Sequence, residues 1–245
     1  MTREERQLRE AIIAKCRWMN ASGLNQGTSG NISARYKDRM LITPSATPYD
    51  AMKPEMIASM PLEGEYGAWE GPLQPSTEWR FHLDIMRGRP DVGGVVHTHS
   101  TYATVLAIAH KSIPACHYMM AAFGGHDIRC AGYARYGTPE LSEHALKALE
   151  GRNGCLLANH GMIAVGANLD KAMWLAVELE TIARQYYLSL ALGSPQILSE
   201  AQIAETAQGF STYGLQAPKP KSAKARAAGK AAARRRVEKK RSKTR

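Results

Sequence analysis

The sequence has no apolar run of the ~20 residues needed to cross a bilayer, which argues against a helical membrane protein. Its start, Met1-Thr2-Arg3-Glu4-Glu5-Arg6, lacks the basic residues and apolar stretch of a signal peptide, so the expected compartment is the cytoplasm. Cysteine is scarce. Cys16, Cys116, Cys130 and Cys155 are scattered with no Cys-x-x-Cys, which excludes a disulfide framework or a zinc knuckle and suits buried thiols in a reducing compartment. There is no glycine-rich nucleotide fingerprint and no internal repeat.

What is there begins with an ordinary globular composition, 44% apolar and 22% charged, over 245 residues. That length supports one large domain or two small ones. The net charge of +10 belongs to one end. Residues 218–245 hold 13 Lys/Arg and a single acid, Glu238, for +12; the other 217 residues carry 19 Lys/Arg against 21 acids, for −2. Low apolar content and a block of like charge predict a disordered basic tail over 217–245, following a folded domain over 1–216. The tail lacks interleaved aromatics, so it is expected at most to touch nucleic acid or another anionic surface weakly, by charge alone.

Local patterns place the elements. A helical period runs over residues 3–22 and stops at Ser22-Gly23. Ile32 to Tyr36 and Arg39 to Thr43 read as a hairpin, and 56–69 as strands around Glu63-Gly64. Pro75-Ser76-Thr77-Glu78 reads as a helix start capped by Ser76 or Thr77, with the acid in the first turn and the helix running to about Arg87. Val92 to His99 is a buried strand, followed by a helix from about Tyr102 to His110 and an irregular stretch over 111–137. Thr138-Pro139 opens another helix. Residues 154–159 and 162–165 are strands joined at His160-Gly161, the longest helix covers about 169–192, and Ser199-Glu200-Ala201-Gln202 fits a capping box. Helices alternating with short strands, some in hairpins, predict a layered, three-layer-like α/β domain with a central, mainly antiparallel sheet flanked by helices.

The chemistry gathers on histidine. Strand side chains alternate, so His97 and His99 point the same way about 7 Å apart and can reach one divalent ion; a pair of satisfied core histidines is the alternative. With His160 they make three neutral imidazoles and an open position, the ligand set of a catalytic zinc rather than a structural one. Glu78, beside the hydroxyls of Ser76 and Thr77 at a helix start, is the candidate base or labile fourth ligand. Those hydroxyls, the adjacent amides and the helix dipole predict an anion pocket, with further small donors at Gly30-Asn31 and Thr43-Pro44-Ser45. The residues alone point to a metal enzyme for a small phosphorylated or carboxylated substrate.

The ordered set Gly27-Thr28-Ser29-Gly30-Asn31-Ile32-Ser33, Thr43-Pro44-Ser45, Ser76-Thr77-Glu78-Trp79, His97-Thr98-His99 and Asn159-His160-Gly161 resembles the class II aldolase/adducin family, from about residue 5 to about 215. The resemblance implies Zn2+ held by His97, His99, His160 and a displaceable Glu78 that doubles as the base. It also implies phosphate binding by Gly30, Asn31, Ser45, Ser76 and Thr77, with Tyr118 as the acid. Tyr118 and Tyr213 would come from across a subunit boundary of a homotetramer. The reaction implied is cleavage of a ketose 1-phosphate, either L-fuculose 1-phosphate or a 5-deoxy or 5-methylthio ketopentose 1-phosphate, to dihydroxyacetone phosphate and a short aldehyde. A decarboxylase, dehydratase or 4-epimerase of the same superfamily is the alternative. Glu at position 78, where the epimerases place Asp, tilts the choice to aldolase. A non-enzymatic adducin-like module is disfavoured because all three histidines and the acid are present. One departure stands out: the family's phosphate loop commonly has glycine where this chain has Ala46, a strained choice if that position needs positive φ.

Overall fold

The computed structural model of the chain describes residues 1–210, so the expected boundary at 216/217, the basic tail and Tyr213 lie outside the described residues. Met1–Gln208 forms one compact unit; of the second unit only Gly209 and Phe210 are described, as the end of the last helix.

Eight strands make one sheet: β1 (Asn31–Tyr36), β2 (Arg39–Ile42), β3 (Ala58–Pro61), β4 (Gly94–Thr98), β5 (Ile113–Pro114), β6 (Asp127–Ala131), β7 (Gly154–Leu157) and β8 (Gly161–Gly166). Their order is β3-β2-β1-β4-β8-β7-β6-β5. Every pairing is antiparallel except β6 with β7, which is parallel. The helices are α1 (Arg3–Ala21), α2 (Trp79–Gly88), α3 (Thr101–Ile108), α4 (Pro139–Ala148), α5 (Leu169–Leu190) and α6 (Glu200–Phe210). This is the layered, mainly antiparallel α/β architecture that the sequence pattern indicates.

The layers follow from the strand pleat. Val95, Ile163 and Val165 on one face join Met40, Ile42 and Met60 in a core closed by Phe81, Leu83 and Ile85 of α2 and Leu141 and Ala145 of α4. Each such side chain is worth about 1.5–3 kcal/mol on full burial. The opposite face of β4 and β8 is covered by α5. That close approach depends on glycine. Gly94 and Gly166 are partners in the β4–β8 ladder, and a Cβ on either would stand 2.8 Å from Leu169 Cα or 2.5 Å from Ala172 N of α5.

Several helix starts behave as their residues dictate. Thr138 accepts from Leu141 N with Pro139 next to it, and Ser199 and Gln202 exchange the reciprocal bonds of a capping box.

Three expectations need correction. Residues 111–137 are not irregular: they contain β5, a 3-10 segment over Tyr118–Phe123, and β6. The 56–69 region holds one strand, β3, with a single bridge from Ser59 to Glu70 in place of a second strand. At α2 the N-cap position is Glu78 itself, not Ser76 or Thr77, and its carboxylate makes no capping bond. That carboxylate is directed elsewhere.

Candidate metal centre and active site

The middle of the sheet assembles the histidines. His97 is in register with Asn31 of β1 on one side and Ile163 of β8 on the other, and His99 follows immediately after the strand. His160 sits in the tight turn between β7 and β8, where Asn159 takes φ +54 and His160 N donates to Leu157 O. Gly161 lets that turn lie against β4, since a Cβ there would stand 2.5 Å from Thr98 O. The three rings pack edge to face with centroids 4.8 to 5.0 Å apart. One potential ligand atom from each lies within 4.8 Å of the others. His97 Nδ1 donates to Met162 O at 2.9 Å, which turns its Nε2 toward the group. The sequence-derived triad is therefore brought together.

Glu78 completes the cluster. It is buried, with Oε2 3.3 Å from His97 Nε2 and Oε1 3.0 Å from His160 Nε2. Oε1 has no partner in hydrogen-bonding geometry. A buried carboxylate with one underused oxygen, set against His97 and His160 of the triad, is a donor set that fits a divalent cation. Burial alone pushes the Glu78 carboxyl up, but the facing His97 and His160 imidazoles more than reverse this and hold it well below the usual range. Burial, then the neighbouring His97 and His160, lower His99 to about 4. Near neutral pH the site thus presents an ionised carboxylate and, at His99, a neutral imidazole.

Behind Glu78 stands a residue that the sequence reading passed over. Asn31 Nδ2 donates to Glu78 Oε2 at 2.8 Å, and the wholly buried His82 joins Asn31 Oδ1 at 2.5 Å and Ser33 Oγ at 2.7 Å. Burial, followed by His97, lowers His82 to about 3, so it is neutral. In sequence it is a lone histidine on the apolar face of a helix, which carries no signal of its own.

In front of the histidines opens a cleft of about 480 Å³, lined by all five expected phosphate residues, Gly30, Asn31, Ser45, Ser76 and Thr77, and by Glu78, His99 and His160. That volume suits a small metabolite. The loops are tied side by side: Ser45 N donates to Gln74 O and Ser76 N to Thr43 O, a bridge that brings the hydroxyl-bearing segments together. One expectation changes. The amides of Ser76, Glu78 and Trp79 already donate to Thr43 O, Ser76 Oγ and Ser76 O. The donor role in this part of the cleft therefore falls to hydroxyls more than to helix-start amides. Ala46 does take φ +48, the left-handed conformation suspected from the missing glycine.

Tyr118 is 47% exposed and is not among the residues lining this cleft; Tyr213 lies outside the described residues. Sequence reasoning missed Tyr133, Arg135 and Tyr136, which line the cleft from the loop before α4. Their only signal was an aromatic, glycine-containing stretch, too general to place them.

Comparison with known proteins gives one consistent answer. The family model described as the class II aldolase and adducin N-terminal domain matches residues 10–187. A 5-methylthioribulose-1-phosphate/5-deoxyribulose-1-phosphate aldolase of Rhodospirillum rubrum is 50% identical over 213 residues, covering 87% of this chain and 95% of that protein. An L-fuculose phosphate aldolase of Escherichia coli is 47% identical over 213 residues, covering 86% and 98%. A solved L-fuculose 1-phosphate aldolase superposes with a TM-score of 0.80 at 38% identity, covering 84% of this chain and 96% of that one.

Proposed function

The chain belongs to the class II aldolase and adducin family, and on that premise we propose that it is a zinc-dependent aldolase for a ketose 1-phosphate, releasing dihydroxyacetone phosphate and a short aldehyde. The observation that carries the reading is the convergence of His97, His99 and His160 with the buried Glu78 carboxylate at the edge of a hydroxyl-lined cleft. The candidate substrates are those the relatives are named for: L-fuculose 1-phosphate and the 5-deoxy and 5-methylthio ribulose 1-phosphates. Exposed rings of Tyr133 and Tyr136 at the cleft suit an aldehyde half that ends in a methyl or methylthio group.

His97, His99 and His160, with Glu78 as a displaceable fourth ligand, would hold the zinc. When bound, it supplies a Lewis acid that stabilises negative charge on the substrate carbonyl as the carbon beside it loses a proton. The chain's own groups do the rest. The side chains of Ser45, Ser76 and Thr77, with the Gly30 loop, hold the phosphate and so fix the reacting carbon against Glu78. In the condensing direction Glu78 takes the C3 proton of dihydroxyacetone phosphate, and the electron pair left behind attacks the aldehyde carbon. Tyr118 donates its phenolic proton to the aldehyde oxygen. Cleavage reverses the path: the C3–C4 bond breaks, the O4 proton returns to Tyr118, and Glu78 reprotonates C3. A positioned acid or base of this kind contributes typically 10²–10⁴ in rate.

Tyr118 would serve the cleft of a neighbouring subunit, with Tyr213, in a homotetramer; its exposure and its absence from its own cleft support this. The basic tail adds a weak, salt-sensitive contact with nucleic acid or another anionic surface. The test is dihydroxyacetone phosphate release from a panel of ketose 1-phosphates by zinc-loaded protein. Release from at least one of them is expected; release from none would overturn the reading.

A further inference from the structure

We propose that His82 is a positioning residue for proton transfer, acting through Asn31 to fix the orientation of the Glu78 carboxylate. This rests on the reading of Glu78 as the base.

The direction of every bond in the chain behind Glu78 is dictated. An ionised carboxylate only accepts, so the Asn31 atom 2.8 Å from Glu78 Oε2 must be the amide nitrogen, which donates. Asn31 Oδ1 therefore faces His82, and His82 Nε2, 2.5 Å away, must carry the hydrogen. A neutral imidazole has only one, so His82 Nδ1 accepts from the Ser33 hydroxyl at 2.7 Å. The result is one unbroken line of donation, from Ser33 to His82 to Asn31 to Glu78. His82 is fixed within it: the ring is 0% exposed and stacks on Phe81 at a centroid distance of 4.7 Å. Asn31 and Ser33 are anchored on β1, in register with His97 and Val95.

The two orientations of an asparagine amide have almost the same shape. The flipped amide would set its oxygen against the carboxylate and its N–H against the His82 Nε2–H, so without His82 only the carboxylate itself would select between the two. The His82 Nε2–H locks the orientation that holds Glu78 Oε2 from the other side of the amide, leaving Oε1 as the oxygen without a hydrogen-bond partner. The Asn31 amide is accordingly committed to the base, where the family resemblance assigns it to phosphate.

The test uses zinc-loaded, full-length protein and the exchange of dihydroxyacetone phosphate C3 hydrogen with deuterated water, which needs no knowledge of the aldehyde. His82→Gln places an N–H near the position of Nε2, whereas His82→Asn does not reach it; the pair remains informative where His82→Phe fails to fold. His82→Gln is expected to stay within about 3-fold of wild type. His82→Asn should lose about 10- to 100-fold in maximal exchange rate, the scale of a lost supporting hydrogen bond at a metal site, with the half-saturating dihydroxyacetone phosphate concentration unchanged and metal content equal. In a Glu78→Gln background His82→Asn should cost nothing further. A raised half-saturating concentration with full rate would overturn the proposal by returning Asn31 to phosphate. Equal losses in His82→Gln and His82→Asn, or additive losses with Glu78→Gln, would overturn it too. Near-normal exchange by Glu78→Gln alone would instead remove Glu78 as the base, and the proposal with it.

Discussion

Ala46 offers a test of the proposed phosphate loop that needs no substrate. It takes φ +48, is exposed, and sits between Ser45, whose amide is tied to Gln74 O, and Thr47, whose hydroxyl donates to Ser45 O. Its methyl group is not buried, so removing it loses little packing. Holding an L-residue in the left-handed region costs about 1–2 kcal/mol. Replacement by glycine relieves that strain but returns about 0.4–1 kcal/mol through the greater freedom of glycine in the unfolded chain. The balance for Ala46→Gly is a net stabilisation of about 0.5–1 kcal/mol. At about 2–4 °C per kcal/mol for a domain of this size, Tm should rise by about 1–4 °C, read by scanning calorimetry with both proteins zinc-saturated. Ala46→Val, β-branched in the same conformation, should melt below wild type. A Tm for Ala46→Gly at or below that of wild type would refute the reasoning, because either the loop is not left-handed at 46 or the methyl makes a contact worth more than the strain.

Three further outcomes follow from other parts of the molecule. Gly161→Ala should cost about 1–3 kcal/mol in thermal unfolding and lower metal content, because the new Cβ would meet Thr98 O at 2.5 Å and move the turn that carries His160; unchanged stability with full metal binding would contradict the packing. The metal-free fold should weaken in acid through His82, whose folded value of about 3 lies below the ~6.5 of an unfolded histidine. The unfolded chain binds a proton there first, so His82's contribution is full above pH ~6.5 and falls as pH drops toward 3, by about 2 kcal/mol between pH 7 and 5. Equal acid sensitivity of wild type and His82→Gln in denaturant melts would contradict this. Deleting residues 218–245 should leave turnover within about 2-fold while abolishing any salt-sensitive retention on a polyanion column; a large loss of turnover would place the tail in the active site or the assembly.

Local signals were enough for much of this. The buried strand that carries His97, the hairpin of β1 and β2, the Thr138-Pro139 start of α4 and the Ser199–Gln202 capping box depend on residue type and short spacing, and the structure keeps all of them, with His99 just past the strand end. What was not legible depends on partners distant in the chain. Strand β6 is a half-buried, polar segment, Asp-Ile-Arg-Cys-Ala, held extended between its parallel partner β7 and its antiparallel partner β5. Glu78 is legible as a candidate base or ligand, but its carboxylate leaving the helix start uncapped and turning to His97 and His160, 3.3 Å and 3.0 Å away, depends on the sheet. His82 has the spacing of any core residue of α2, and its role emerges only when β1 places Asn31 and Ser33 against its ring. Tyr133, Arg135 and Tyr136 reach the cleft from a loop whose path no local pattern determines.

Solvent exchange into dihydroxyacetone phosphate tests, without any aldehyde, whether Glu78 is the base of a metal-supported proton abstraction. Zinc-loaded wild type should exchange one C3 hydrogen, and Glu78→Gln at equal zinc content should do so about 10²–10⁴ times more slowly. Near-normal exchange by Glu78→Gln, or none by zinc-loaded wild type, would contradict the account.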